Sequence, residues 1–157
     1  MRILFFRIGI DVISVVSATA NFISNSFSRF TINQPQISTC KEDVCLTLIN
    51  HHLQNKTFDI YMINHKSVAG FQCDLPGINI IGADGGLLQK NKYQTSNSAD
   101  RILSFNAQGT LIHIGEGILT TVYYSNPTTE VCMTEIIFAG IGGSKLTNDE
   151  PECMKLN

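Results

Sequence analysis

The chain has 157 residues, of which 43% are hydrophobic and 15% charged. The apolar share excludes a disordered polymer, and the charge share falls below the usual quarter, which argues against the Glu/Lys/Arg-faced helices of a helix-rich protein. Eleven Lys plus Arg stand against 13 Asp plus Glu, a formal net charge of −2, so no basic patch speaks for a nucleic-acid partner.

In chain order, residues 1–40 differ in texture from the rest and are expected to form an apolar arm or an added strand pair ahead of a module over 41–157. Met1-Arg2, then an apolar run ending at Ala18-Thr19-Ala20, has the outline of a secretory signal. Arg7 and Asp11 interrupt that run, and a signal core or membrane span tolerates such charges poorly, which favours strands over 3–10 and 12–16. The membrane is left open as a partner. Residues 18–30 are the nearest approach to a helix, and their Ser and Asn content gives poor helix propensity.

From residue 44 onward short β-like runs alternate with turn residues. Strands are expected over 44–49, 58–63, 68–75, 78–81, 93–96, 101–105, 118–124 and 132–138, with one helical turn over 87–91. The period-two pattern is cleanest where Phe71, Cys73 and Leu75 alternate with Gln72 and Asp74. Gly82-Ala83-Asp84-Gly85-Gly86 and Gly115-Glu116-Gly117 read as interruptions between strands. The expected core is Ile60, Met62, Phe71, Cys73, Leu75, Ile80, Leu103, Phe105, Leu119 and Val122. Strands at this spacing without a βαβ rhythm predict an all-β sandwich or barrel.

Five cysteines are present. Cys132 and Cys153 bracket the last segment and are expected to bridge in an oxidising compartment, which would stabilise the fold by roughly 3 kcal/mol. Cys40 and Cys45 flank a polar stretch and are candidates for a second bridge, while Cys73 on an apolar strand face is expected to stay free. No Cys-x-x-Cys occurs, so structural cysteines are favoured over a zinc site. Asn55-Lys56-Thr57 is a glycosylation sequon, whereas Pro127 spoils Asn126-Pro127-Thr128.

Other candidate chemistry reads as structural. His51 and His52 are expected in an exposed loop, and His113 on a solvent-facing strand side. His65 has no ligand-spaced neighbour. Gly140-Ile141-Gly142-Gly143-Ser144-Lys145 lacks the spacing and following helix of a phosphate loop and reads as a glycine-rich hairpin connection. Asp84 and Asp100 would pair only by accident of folding, and Asp84-Gly85-Gly86 is no calcium loop. Tyr61, Tyr93, Tyr123 and Tyr124 offer a sugar-stacking surface or, preferentially, a protein interface. No cofactor, metal or catalytic residue is expected.

Ser67-Val68-Ala69-Gly70-Phe71-Gln72, Gly77-Ile78-Asn79-Ile80-Ile81-Gly82-Ala83-Asp84-Gly85-Gly86, Ile102-Leu103-Ser104-Phe105 and Ile114-Gly115-Glu116-Gly117-Ile118-Leu119 together resemble a cohesin-like module over about residues 57–153. The resemblance implies a jelly-roll β-sandwich of the kind found in extracellular and surface proteins, with similar segments in large DNA viruses. Cohesins bind dockerin modules through one sheet face, and the resemblance assigns no residue of this chain to that face. Cys73 departs from the pattern, since similar modules place a large hydrophobe there.

The expected function is a non-catalytic structural or protein-interaction module. Its partners would be other protein subunits of a larger assembly, such as a viral particle (as a minor capsid-type component) or a surface layer. The alternative is a secreted adhesive or carbohydrate-binding module. The matching locations are a virion or other particle surface, or the extracellular space.

Overall fold

A computed structural model of the chain describes residues 40–126 and 128–156. The expected arm, strand pair, signal-like segment and helical stretch within residues 1–39 lie outside the described residues.

The expected all-β class is what the structure shows. Among the described residues eleven strands run in chain order: β1 Val44–His52, β2 Thr57–Asn64, β3 Gly70–Asp74, β4 Asn79–Asp84, β5 Gln94–Asn97, β6 Arg101–Phe105, β7 Gly115–Ser125, β8 Glu130–Val131, β9 Thr134–Ala139, β10 Lys145–Leu146 and β11 Met154–Lys155. A short helix, α1, spans Gly86–Lys90. Two antiparallel sheets form the layers of a sandwich, ordered β1-β2-β7-β4 and β10-β9-β3-β6-β5, and β8 pairs with β11 as a small ribbon. Among the described residues no helix is long and apolar enough to cross a membrane.

Period-two side-chain alternation decides what the layers enclose. From the first sheet Leu46, Leu48, Phe58, Ile60, Met62 and Val122 point inward, and from the second Phe71, Cys73, Ile102 and Phe138 meet them. The Phe71 and Phe138 rings stack across the β3–β9 pair with centroids 5.0 Å apart. β7 departs from simple alternation because a bulge opposite Ile60 and Tyr61 inserts Leu119, so Leu119 and Thr120 are both buried. Thr120 meets the resulting polar demand by donating its hydroxyl to the Asp84 carbonyl.

Several expectations are corrected. Leu103 and Phe105 are not core; Ile102 and Ser104 of the same strand are. Ile102, Leu103 and Phe105 place apolar groups on both faces of β6, so composition alone does not choose between them. Pairing chooses: Cys73 stands opposite Ile102 and Phe71 opposite Ser104, and partners across a ladder share a face. Gly82, Ala83 and Asp84 continue β4 past a bulge at Ile81, and Gly115, Glu116 and Gly117 open β7. The glycines are accommodated inside strands rather than ending them. The strand expected over 132–138 begins only at Thr134, as β9, and Cys132 and Met133 lie between it and β8.

The outer edge of β1 is covered. Val44 N–H donates to the Thr147 carbonyl, Asp149 N–H to the Val44 carbonyl, and Leu46 N–H to the Asp149 carboxylate at 2.9 Å. Asp43 and Thr147 exchange backbone-to-side-chain bonds beside them, at 3.0 and 3.1 Å. Residues 147–149 thus lie as a strap along half of an edge that would otherwise show unpaired N–H groups.

Candidate protein-binding face

The side of the five-stranded sheet that faces away from the core is built by the same pairing that buries Ile102 and Ser104. Ser104 inside is tolerated because its hydroxyl bonds Thr95 Oγ1 at 2.8 Å. Turning those two inward turns Leu103 and Phe105 outward, where they remain 42% and 45% exposed. On β9 two residues, Glu135 and Ile136, stand against Cys73 alone, because Asp74 pairs with Thr134 and Gln72 with Ile137. Glu135 takes a left-handed φ of 47° in this bulge. The extra residue presents Ile137 to solvent, 44% exposed, while Phe138 is buried.

The three apolar side chains lie in adjacent rows. Gln72 of β3 is the register partner of both Ile137 and Leu103, so one row reads Ile137, Gln72, Leu103, Ser96. The next reads Lys145, Ala139, Gly70, Phe105, Gln94. Gly70 offers no side chain between Ala139 and Phe105. A third row carries Asp74 opposite Arg101, joined by two hydrogen bonds from Nε and Nη2 at 2.5 and 2.7 Å. The Arg101 hydrogen bonds hold the Asp74 carboxyl below its ordinary range, and the Asp74 hydrogen bonds hold Arg101 above its own. An apolar strip bordered by Gln, Ser and a paired charge has the composition of a protein interface, with a dry centre and a polar rim.

The residues singled out in the sequence fall elsewhere. Cys132 is bonded to Cys153 and Cys40 to Cys45, and Cys73 is a buried free thiol whose pKa burial pushes far up. The first bridge ties the turn after β8 to the residue before β11. Glu130 brings a carboxylate within 4.8 Å of the Cys132 and Cys153 sulfurs, but sulfurs bonded to each other supply no thiolate, and the trio does not fit a metal. Asn55 is exposed in the turn joining β1 to β2.

The expected loop at His51 and His52 is instead the end of β1, and His51 Nε2 bonds the Tyr124 hydroxyl at 2.8 Å. His65 Nε2 approaches the Cys40 carbonyl at 3.3 Å, and His113 is exposed. The glycines of residues 140–143 form the connection between β9 and β10. Asp84 accepts from Gly85 N–H and Asp100 from the Ser98 hydroxyl, so each closes its own local turn. The four tyrosines do not make one surface. Tyr93 and Tyr124 are in the core, Tyr93 with its hydroxyl on the Val68 carbonyl at 2.7 Å, while Tyr61 is half-buried and Tyr123 exposed. Burial raises the pKa of Tyr93 and Tyr124. Sequence reasoning missed the outer face of β6 because it assigned Leu103 and Phe105 inward. The signal that would have found it is the parity of β3, where Phe71 and Cys73 had already been read as inward.

No family model matches the chain, and no curated protein matches it. Two solved structures do. One is a non-cellulosomal cohesin from the hyperthermophilic archaeon Archaeoglobus fulgidus, 13% identical over 69% of this chain and 86% of that one, with a TM-score of 0.47. The other is a chain of the CaDoc0917–CaCohA2 complex, 11% identical over 73% of this chain and 99% of that one, with a TM-score of 0.49. The likeness is to cohesins, in fold. At this level of identity it carries nothing about what this chain binds, and the candidate face rests on the exposed side chains of β6 and β9 alone.

Proposed function

We propose that the module is a non-catalytic protein-interaction subunit that docks on a partner protein through the outer face of the five-stranded sheet. The observation that carries this reading is the adjacency of Leu103, Phe105 and Ile137, each more than two-fifths exposed. Contiguous apolar surface of this kind marks contact sites on soluble proteins. The setting we favour is a larger assembly, either a viral particle in which the chain is a minor capsid-type component or a surface layer. The site-specific test is photo-cross-linking of the full chain in the cells that make it, with the reactive side chain at position 105 or 137. One adduct of the same mass at both positions, and none from a control at exposed Gln108, supports the reading. No adduct, or equal adducts at the control, overturns it.

A second reading, a secreted adhesive or carbohydrate-binding module, is favoured by the two disulfides, which persist in oxidising compartments. It would use Tyr61 and Tyr123 of the first sheet, and it predicts a glycan on Asn55 and an N-terminus trimmed near residue 20. Intact-mass measurement of the native protein separates the two.

A further inference from the structure

A cleft of about 490 Å³ opens where the bulge of β9 meets the segment that follows β10, and its lining carries charge of one sign. The Cys132–Cys153 bridge draws the chain after Pro151 back against the start of β9, and the extra residue of the bulge brings Glu135 to the lining. The floor is apolar: Met133 is buried, Ile136 and Pro151 are partly buried, and the bridge adds two uncharged sulfurs. The rim carries Glu135 and Glu150, both exposed. Among the described residues no Lys, Arg or His lines the cleft, and neither glutamate makes an ion pair. Glu130 stands within 4.8 Å of the bridge sulfurs with Lys155 as its ladder partner, so those two offset each other and the lining keeps two unmatched negative charges. β10 covers β9 at Phe138 and Ala139, and residues 134–137 make no backbone bond to backbone outside the ladder with β3. Carbonyls on that side of β9 are further acceptors.

We propose that this cleft takes an arginine side chain of the partner protein that docks on the Leu103–Phe105–Ile137 face, an inference that rests on that docking reading. β9 joins the two: Ile137 of the apolar strip follows Glu135 of the rim by two positions. Their charges are also within reach of each other. Arg101 of the face, held above its ordinary range first by its bonds to Asp74, is raised further by Glu135. Arg101 does not itself fill the cleft, since it is absent from the lining and its Nε and Nη2 are engaged by Asp74. A guest here needs an apolar stem and a cationic head. The aliphatic stem of arginine lies along Met133, Ile136 and Pro151 while its head reaches the rim. Its guanidinium is weakly hydrated and presents five donors in a flat fork, enough for two carboxylates and a strand carbonyl, whereas an ammonium has three donors and holds its water more strongly. An acidic guest would meet two like charges, and a neutral one would leave them uncompensated. Arginine anchors beside an apolar strip are a common feature of protein interfaces.

Two experiments on the full chain separate this proposal from the docking reading. In the first, ethylguanidinium is titrated into the isotope-labelled protein and followed by nuclear magnetic resonance, with neutral N-ethylurea and n-butylammonium as controls. The expected result is saturable shifts at the amides of residues 132–136 and 148–153 with ethylguanidinium, weaker ones with the ammonium and none with the urea. The double variant Glu135→Gln, Glu150→Gln keeps the shape of the rim and removes both charges, so it should lose the ethylguanidinium shifts. In the second, the same double variant carries the photo-reactive side chain at position 105, and its adduct yield should fall about tenfold against the parent, the loss of one charge-assisted anchor. Shifts that are absent, or that the urea or the ammonium reproduces in full, overturn the proposal. An adduct undiminished by the double substitution also overturns it and leaves the docking reading standing. No adduct from the parent overturns both.

Discussion

Neighbouring residues of β6 should respond to substitution in opposite ways. Ile102 is fully buried and Leu103 is 42% exposed. Ile102→Ala removes buried carbons worth about 0.8 kcal/mol each in transfer and leaves a cavity against Cys73 and its neighbours, so the expected cost is about 2–5 kcal/mol. Leu103→Lys keeps an aliphatic stem on the surface and places its charge in water, so the expected change is within about 1 kcal/mol. The assay is urea unfolding of each variant, followed by fluorescence of its tyrosines and by circular dichroism. The midpoint should fall clearly for Ile102→Ala and barely for Leu103→Lys, with similar slopes. In the photo-cross-linking experiment, which uses no denaturant, the order reverses: Ile102→Ala keeps its adduct while Leu103→Lys loses it. If Leu103→Lys unfolds the protein and Ile102→Ala is tolerated, the strand is in the other register and the proposed binding face does not exist.

The two bridges should differ in worth. Cys132 and Cys153 are 21 residues apart and Cys40 and Cys45 only 5, so loop-closure entropy assigns about 3 kcal/mol to the first and about 2 kcal/mol to the second; urea titration of the two double-alanine variants should rank them in that order. Burial raises the Asp149 pKa despite the Leu46 N–H bond that lowers it. A folded-state pKa above the unfolded value of about 3.9 means the native state binds the extra proton, so this group's stabilisation is present at low pH and lost as pH rises through the folded value. Asp149→Asn, which keeps an oxygen for Leu46, should therefore be at least as stable as the parent at pH 7, with the difference closing near pH 3 in thermal melts. Asp74 runs the other way: its pKa is lowered, so its contribution is present above the unfolded value and fades as pH falls through the folded one, and Asp74→Asn should flatten that acid limb. Gly86 has a φ of 62°, and an added Cβ would collide with the Ile118 and Leu119 carbonyls of β7; Gly86→Ala should cost more than about 1 kcal/mol by chemical denaturation.

The fold class was legible because alternation and turn residues are local signals. Phe71, Cys73 and Leu75 announce β3, and Pro76-Gly77 its end, whatever surrounds them. Glycine was the source of most boundary errors. Gly82 and Gly117 look like breaks because glycine is rare inside strands, yet one lies just past the β4 bulge and the other inside β7. The binding face was not legible in β6 taken by itself, since Ile102, Leu103 and Phe105 present apolar groups to both sides. Only the register with β3 resolves the ambiguity, and register is a long-range property.

The Asp149 carboxylate on Leu46 N–H gives the sandwich a handed traffic rule. A sheet with both margins bare would let identical copies stack side by side without limit, as fibrils do. Here one margin carries a stopper supplied by residues 147–149, about a hundred positions along the same chain. Copies that met margin to margin would find half of one seam already taken, and lateral growth into ribbons is discouraged at the outset.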